Sequence, residues 1–248
     1  MDSLYVVVAA GAMTAGFVQG LSGFGFGMVA MSFWAWTVDP KLAAAMAVFG
    51  ALTGQLLAAF TVRRGFALGR LLPFIAGGLV GIPLGVRLLP HLDPLLFKAL
   101  IGGLLAIWCP IMLFAARLPR IAVGGRLADA AVGAVGGIMG GIGGFTGVIP
   151  TLWCTLRGFD RDVQRAVIQN FNLSMLIVTM ASYVFTGLVT REMLPLFAVI
   201  VPAMLVPTLW GTRVYVGISD LAFRRVVLGL LTVSGLALLA SSLPGLLA

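Results

Sequence analysis

The sequence predicts an all-α membrane protein made of two inverted-topology repeats, each a broken, re-entrant helical hairpin plus three transmembrane helices, about eight helical segments in all. Three observations carry the prediction. Of the 248 residues, 60% are hydrophobic and only 10% charged, with a mean hydropathy of +1.11; a soluble domain is roughly half apolar and a quarter charged. A glycine-rich break interrupts an apolar run twice, with Gly16, Gly20, Gly23 and Gly27 recurring 120 positions later as Gly136, Gly140, Gly143 and Gly147. The basic residues sort to one side of the membrane only when each broken stretch folds back on itself.

Residues 4–38 form the first apolar stretch, with the glycine break near its middle. One straight helix of that length would measure about 50 Å, too long for a hydrocarbon core of about 30 Å. A helix–break–helix hairpin is the economical reading. Asp39-Pro40-Lys41 ends it, and a span at 42–62 follows, closed by Arg63, Arg64 and Arg70. Spans at 71–89 and 95–116 flank a loop with Pro90, His91, Asp93 and Pro94. The connector 117–126 then divides an N-terminal repeat, 1–116, from a C-terminal inverted repeat, 127–248. Residues 127–156 repeat the broken stretch, Arg157 to Arg165 form a charged loop, and spans follow at 166–189, 193–212 and 222–243. The duplication reaches beyond the glycines. Gly85-Val86-Arg87, Phe97-Lys98 and Gly103-Leu104-Leu105 recur as Gly211-Thr212-Arg213, Phe223-Arg224 and Gly229-Leu230-Leu231, at a constant offset of 126.

Loop charge sets the topology. With hairpins, each half makes an odd number of crossings, so the second half is upside down relative to the first. The arginines of 63–70, 117–126, 157–165 and 213–225, twelve in all, then share the cytoplasmic side, and Lys41, Arg87, Lys98 and Arg191 lie outside. With each broken stretch as a simple crossing, the split is seven against nine. The positive-inside bias therefore selects hairpins, inversion and both termini outside. Ala10-Gly11-Ala12 looks like a signal-peptide cleavage site, but Met1-Asp2-Ser3 carries no basic residue and the stretch has a counterpart in the second half, so it is read as mature structure.

The net charge of +8 sits in short loops with no basic aromatic-interleaved face, which excludes a nucleic-acid partner. Cys109 and Cys154 lack metal-ligand spacing and read as buried bystander thiols, and neither metal nor cofactor is expected. The partners expected are a small anionic substrate and the bilayer, and a homodimer is compatible with the sequence.

The glycines carry the functional reading. They permit positive φ and close approach of backbone to ligand, and a broken helix within a membrane belongs beside protein or a polar cavity. Half-helices beginning near Gly25 and Gly144 would offer unpaired N–H groups and the positive end of a dipole, an anion site, and two such ends entering from opposite faces would meet near the midplane. Uncharged polar side chains gather in the spans after each break: Thr53 and Gln55 in one, Gln169, Asn170, Asn172 and Ser174 in the other. No Asp or Glu lies deep in a span, so the carboxylate relay that marks proton coupling is missing. Arg87 and Arg213 stand at matching span ends, and Pro73, Pro83, Pro202 and Pro207 are candidate bends. The candidate site comprises backbone near Gly20, Gly23, Gly25, Gly140, Gly143 and Gly144 and the side chains of Ser22, Gln55, Thr146, Asn170 and Asn172.

Two rival readings arise from the same residues. A passive anion channel needs no alternating access. Gly20-Leu21-Ser22-Gly23 also matches the Gly-x-Ser-Gly of intramembrane serine proteases, with Ser22 as nucleophile. That chemistry needs a histidine base; the one histidine, His91, lies in a proline-flanked loop, and the second copy has no serine.

The chain resembles the TauE/SafE family, the sulfite exporter family, over essentially its whole length. The resemblance rests on Leu21-Ser22-Gly23-Phe24-Gly25-Phe26-Gly27, on Gly140-Gly141-Ile142-Gly143-Gly144 followed by Pro150, and on Gly85-x-Arg87 with Gly211-x-Arg213. It implies a non-enzymatic transporter of sulfite, sulfoacetate or related sulfonates across the bacterial inner membrane. The family's glycine motifs fall on Gly20, Gly23, Gly25, Gly140, Gly143 and Gly144. The first copy has Phe24 where the second has Gly144, so the two tips are expected to contribute unequally.

Overall fold

The computed structural model describes residues 2–22, 25–61, 65–115, 119–121, 124–214 and 220–247. The chain is helical from end to end among them: α1 (Asp2–Ser22), α2 (Phe26–Trp34), α3 (Pro40–Thr61), α4 (Leu68–Leu88), α5 (Pro94–Phe114), α6 (Gly125–Gly143), α7 (Val148–Leu156), α8 (Arg161–Phe185), α9 (Leu194–Val214) and α10 (Asp220–Leu247). The expected eight segments become ten helices because each broken stretch is two. All but α2, α6 and α7 are long and apolar enough to cross a membrane. The 19-residue α6 begins with Arg126 and Asp129 and is rich in glycine.

Aspartates start the spans where the sequence places loops. Asp93 caps α5, its carboxylate accepting from the Leu96 N–H at 2.9 Å with Pro94 as first helical residue. Asp160 caps α8 by the same bond from Val163 at 3.0 Å, and Asp39 accepts from the Lys41 N–H at 2.9 Å at the head of α3. A carboxylate there satisfies an otherwise orphaned donor and meets the positive end of the helix.

Both broken stretches are hairpins. The Trp34 indole N–H donates to the Val7 carbonyl at 3.3 Å, so α2 returns along α1. The Trp153 indole donates to Asp129 at 2.7 Å, and the Ile121 N–H to the Leu156 carbonyl at 2.8 Å, so α7 returns along α6. The arms are unequal, however. Helix persists through Gly16 and Gly20 to Ser22, giving arms of 21 and nine residues, and through Gly140 to Gly143, giving arms of 19 and nine. These earlier glycines serve packing instead. Gly16 and Gly20 lie against the α9 backbone at Met204 and Thr208, and the Thr208 hydroxyl donates to the Gly16 carbonyl at 2.9 Å. Gly77, Gly81 and Gly85 of α4 face Ala130, Ala134 and Ile138 of α6, while Gly133, Gly137 and Gly141 reciprocate against Phe74, Gly78 and Ile82. Backbones come that close only where no Cβ intervenes.

The helix pairings exchange the two halves. The most extensive are α4 with α6, α1 with α9, and α5 with α10. Swapping α1 for α6 and α4 for α9 turns the first pair into the second, and both run parallel, as the ascending registers above require. The pairs that map onto themselves run antiparallel. In α5 with α10, Leu95 meets Gly245 and Gly102 meets Gly235. In α3 with α8, Gly65 just past α3 meets Ala166, while Gln55 and Asn172 share one cavity. A two-fold relation that sets a helix antiparallel to its own mate has its axis across the helices, which is the inverted arrangement. The buried core runs between α2, α3 and α8 around Phe26, Trp34, Met46, Phe171 and Met175.

A cavity between the two hairpin tips

The tips owe their turns to one glycine each. Gly25 has φ 97° and Gly144 has φ 78°, in the left-handed region where a Cβ is strained. At the repeat offset, Phe24-Gly25 aligns with Gly144-Phe145, so the left-handed glycine falls one position later in the first tip than in the second. That is the form the inequality between tips takes. Gly23 and Phe24 lie outside the described residues, as does the side chain of Ser22.

The tips meet beside the middle of α3. A Cβ on Gly27 would sit 3.4 Å from the Gly143 carbonyl, and one on Gly144 would touch Val48 at 3.3 Å. Val48 is eight residues beyond Pro40, about 12 Å along the helix. A cavity of ≈ 40 Å³ opens between the tips. Gly25, Phe26, Gly27 and Met28 of the first hairpin line it, with Gly144 to Val148 of the second, Ala51 and Gln55 of α3, Asn172 and Leu176 of α8, and Gln19 of α1.

Two features define its chemistry. The N-cap residues of α2 and α7, Gly25 and Gly147, both line it and neither supplies a side-chain cap. In α7 the Val148 N–H turns back to the Phe145 carbonyl at 3.3 Å and Pro150 has no N–H, so the Ile149 N–H is the first-turn donor left there, whereas no side chain caps the first turn of α2. Each helix start carries about half a positive charge, so two amount to about one elementary charge. Second, no ionisable side chain is among the described lining residues. The polar ones are amides and a hydroxyl. The Thr146 hydroxyl donates to Asn172 Oδ1 at 2.9 Å, with both residues buried. That bond leaves the Nδ2 hydrogens as the donors Asn172 presents. Gly147 makes the geometry possible, because a Cβ there would lie 2.6 Å from Asn172 Oδ1.

Of the residues singled out from sequence, Gly25, Gln55, Gly144, Thr146 and Asn172 line the cavity. Others stand behind or away from it. Gly140 makes room for Thr146, whose methyl would be 2.6 Å from a Cβ there. Gly143 faces the Phe145 ring and Met31. Gly20 packs on Thr208. Asn170 donates to the Gly65 and Ala166 carbonyls at 3.0 and 2.8 Å, tying α8 to the segment after α3. Sequence reasoning missed Gln19, which is 4% exposed, lines the cavity and has an amide oxygen without a partner. Its signal was a lone amide one turn before the first break, in the arm preceding the tip rather than in the spans that follow.

His91 is exposed, its ring nitrogen 2.9 Å from the Arg87 carbonyl. Asp129, near the start of α6, is buried with its carboxylate on the Trp153 indole. Cys109 and Cys154 are buried free thiols.

No curated protein and no solved structure matches the chain. The family model described as Sulfite exporter TauE/SafE matches residues 8–238, nearly the whole length, and the chain belongs to that family.

Proposed function

We propose that this multi-pass membrane protein is a secondary transporter that carries a small sulfur-containing anion across the bacterial inner membrane, holding it between the two hairpin tips. The observation that carries the proposal is the convergence of two uncapped helix starts on one cavity free of ionisable side chains. About one positive charge from the dipoles suits a monoanion, which for sulfite is the hydrogensulfite form. The donors would come from backbone near Gly25, Gly27 and Gly147 and from the side chains of Gln19, Gln55 and Asn172, with Thr146 orienting Asn172. Gly23, Gly140, Gly143 and Gly144 would shape the tips, Gly20 would seat the first arm on α9, and Ser22 would stand at the first tip.

Size favours the smaller substrates. A space of ≈ 40 Å³ holds about three water positions, and sulfite has three oxygens to replace them. Sulfoacetate would require the tips to part. Membership of a family described as sulfite exporters supports the anion class. We further divide the chain into repeats at 117–126 and put both termini outside. The arginines of 63–70, 117–126, 157–165 and 213–225 would then face the cytoplasm and Arg87 the outside, in keeping with the positive-inside rule.

The test is sulfite flux and binding with the purified protein in proteoliposomes. Sulfite should bind, flux should saturate, and Gly143→Val or Gly144→Val should abolish both while the protein still reaches the membrane. Unchanged flux in those variants would refute the site. Flux rising linearly with concentration would favour the channel, and peptide cleavage lost on Ser22→Ala would favour the protease.

A further inference from the structure

A second cavity, of ≈ 450 Å³, lies where α4 and α6 begin and α7 ends. It is lined by Ala67, Leu68, Gly69 and Arg70 from the head of α4, by Gly125, Arg126 and Asp129 from the head of α6, and by Arg157 just past α7. Three guanidiniums therefore face one carboxylate, and that carboxylate is buried and already accepts the Trp153 indole N–H at 2.7 Å. The two helix starts add to the positive field, since neither the Ala67 nor the Gly124 N-cap supplies a side-chain cap. Gly124 and Gly125 have φ of 136° and 54°, so the chain enters α6 through a turn that glycine adopts without strain. Two of the arginines stand over aromatic rings, Arg70 with its guanidinium carbon 5.0 Å from the Phe159 centroid and Arg157 5.7 Å from the Trp153 centroid, contacts that help fix where the cations sit.

We propose that this cavity binds a phosphate group, presented by an anionic lipid headgroup or by a soluble phosphate. It is far too large for the trioxyanion of the inner cavity and far more cationic. Fork-shaped donors on three sides with helix starts between them match a tetrahedral oxyanion. The rim favours the lipid source. Phe66, Leu68 and Leu127 stand exposed beside the arginines, a surface on which acyl chains would lie, and basic pockets between membrane helices at the cytoplasmic side take phospholipid headgroups.

The test uses the full-length protein in neutral detergent with phosphatidylglycerol, phosphatidylcholine or inorganic phosphate. Readouts are the melting temperature and lipid adducts by native mass spectrometry. Phosphatidylglycerol should raise the melting temperature and phosphatidylcholine should not, and Arg70→Gln and Arg126→Gln should each weaken phosphatidylglycerol binding about tenfold. Arg126→Lys, which keeps the charge but loses the fork, should fall between. Inorganic phosphate giving the same arginine-dependent shift would support the phosphate site and assign it to a soluble ligand. Equal responses to the two lipids, or no effect of either variant, would overturn the proposal. Both arginines are exposed, so the lipid-free melting temperature should hold and serves as the folding control. Sulfite binding at the inner cavity should be unchanged in both variants, so the two site assignments fail separately.

Discussion

Replacing Thr146 with valine removes one hydroxyl from the cavity wall and changes its shape by almost nothing. The hydroxyl donates to Asn172 Oδ1 at 2.9 Å, and Thr146 and Asn172 are 2% and 5% exposed. Apart from what the cavity itself holds, no solvent reaches the pair to replace the lost donor. A buried acceptor left unsatisfied costs about 1–3 kcal/mol, and the amide can recover part of that by rotating its Nδ2 group out of the cavity. Whichever way the cost is met, the anion loses a donor or finds it misaligned. At about 2 kcal/mol the penalty is about 30-fold in Kd. Thr146→Ser keeps the donor and should bind within about threefold of the wild type. Isothermal titration of sulfite into purified protein measures all three. Sulfite affinity unchanged in Thr146→Val, with a lowered melting temperature, would mean that the Thr146–Asn172 bond only holds helices together, and the orienting role would fall.

Gly144→Ala forces a Cβ into φ 78° beside Val48 at 3.3 Å; a left-handed non-glycine residue costs about 1–2 kcal/mol, to be read as a fall in melting temperature, and no fall would mean that the tip relaxes. Asn170→Ala deletes the bonds to Gly65 and Ala166 and should lower the melting temperature while leaving sulfite affinity within about twofold, since each lost bond is worth about 1 kcal/mol of stability; a large loss of affinity would bring Asn170 back into the site. Gly81→Leu pushes a side chain into the Ala134 backbone and should prevent accumulation of folded protein, measured by monodisperse yield after extraction.

The hairpins and the span order were legible because each has a local cause. An apolar run too long for the bilayer must break, and short loops with charges and prolines separate the spans. What was not legible was the purpose of each glycine. Gly20 and Gly25 look alike in sequence, yet one leaves room for the α9 backbone and the other turns left-handed at the tip. The difference lies in whether a partner helix passes there, which only the packed structure fixes. The amides of α8 make the same point. Asn170 and Asn172 are about 200° apart around a helix, so they face nearly opposite ways. Periodicity groups Asn170 with Ser174, but it cannot rank the two faces. The cavity takes the face of Asn172 and Leu176, and the segment after α3 takes the other. Gln19 was hidden because a single amide in an apolar helix has no periodicity at all.

The contrast between the two cavities has a physical logic. A guanidinium at the depth of the tips would cost roughly 2.5–3.5 kcal/mol to insert on translocon scales and would hold an anion strongly in a low-dielectric site. A carrier needs binding strong enough to load and weak enough to release. Two uncapped helix starts supply about one positive charge with no ion to desolvate, and that charge is divided between hairpins belonging to different halves. If the halves move apart, each tip keeps only half the field, and the anion's affinity falls without any side chain changing its protonation. At the helix heads Arg70 and Arg126 are exposed and Arg157 half-buried, so permanent charge can be concentrated there without burying it at the depth of the tips. It follows that adding a charge at the tips should damage release more than loading. Gln55→Lys, which puts an ammonium into the lining of the inner cavity, should tighten sulfite binding while slowing flux through proteoliposomes. Tighter binding with faster flux would contradict the division of labour between dipoles at the tips and arginines at the helix heads.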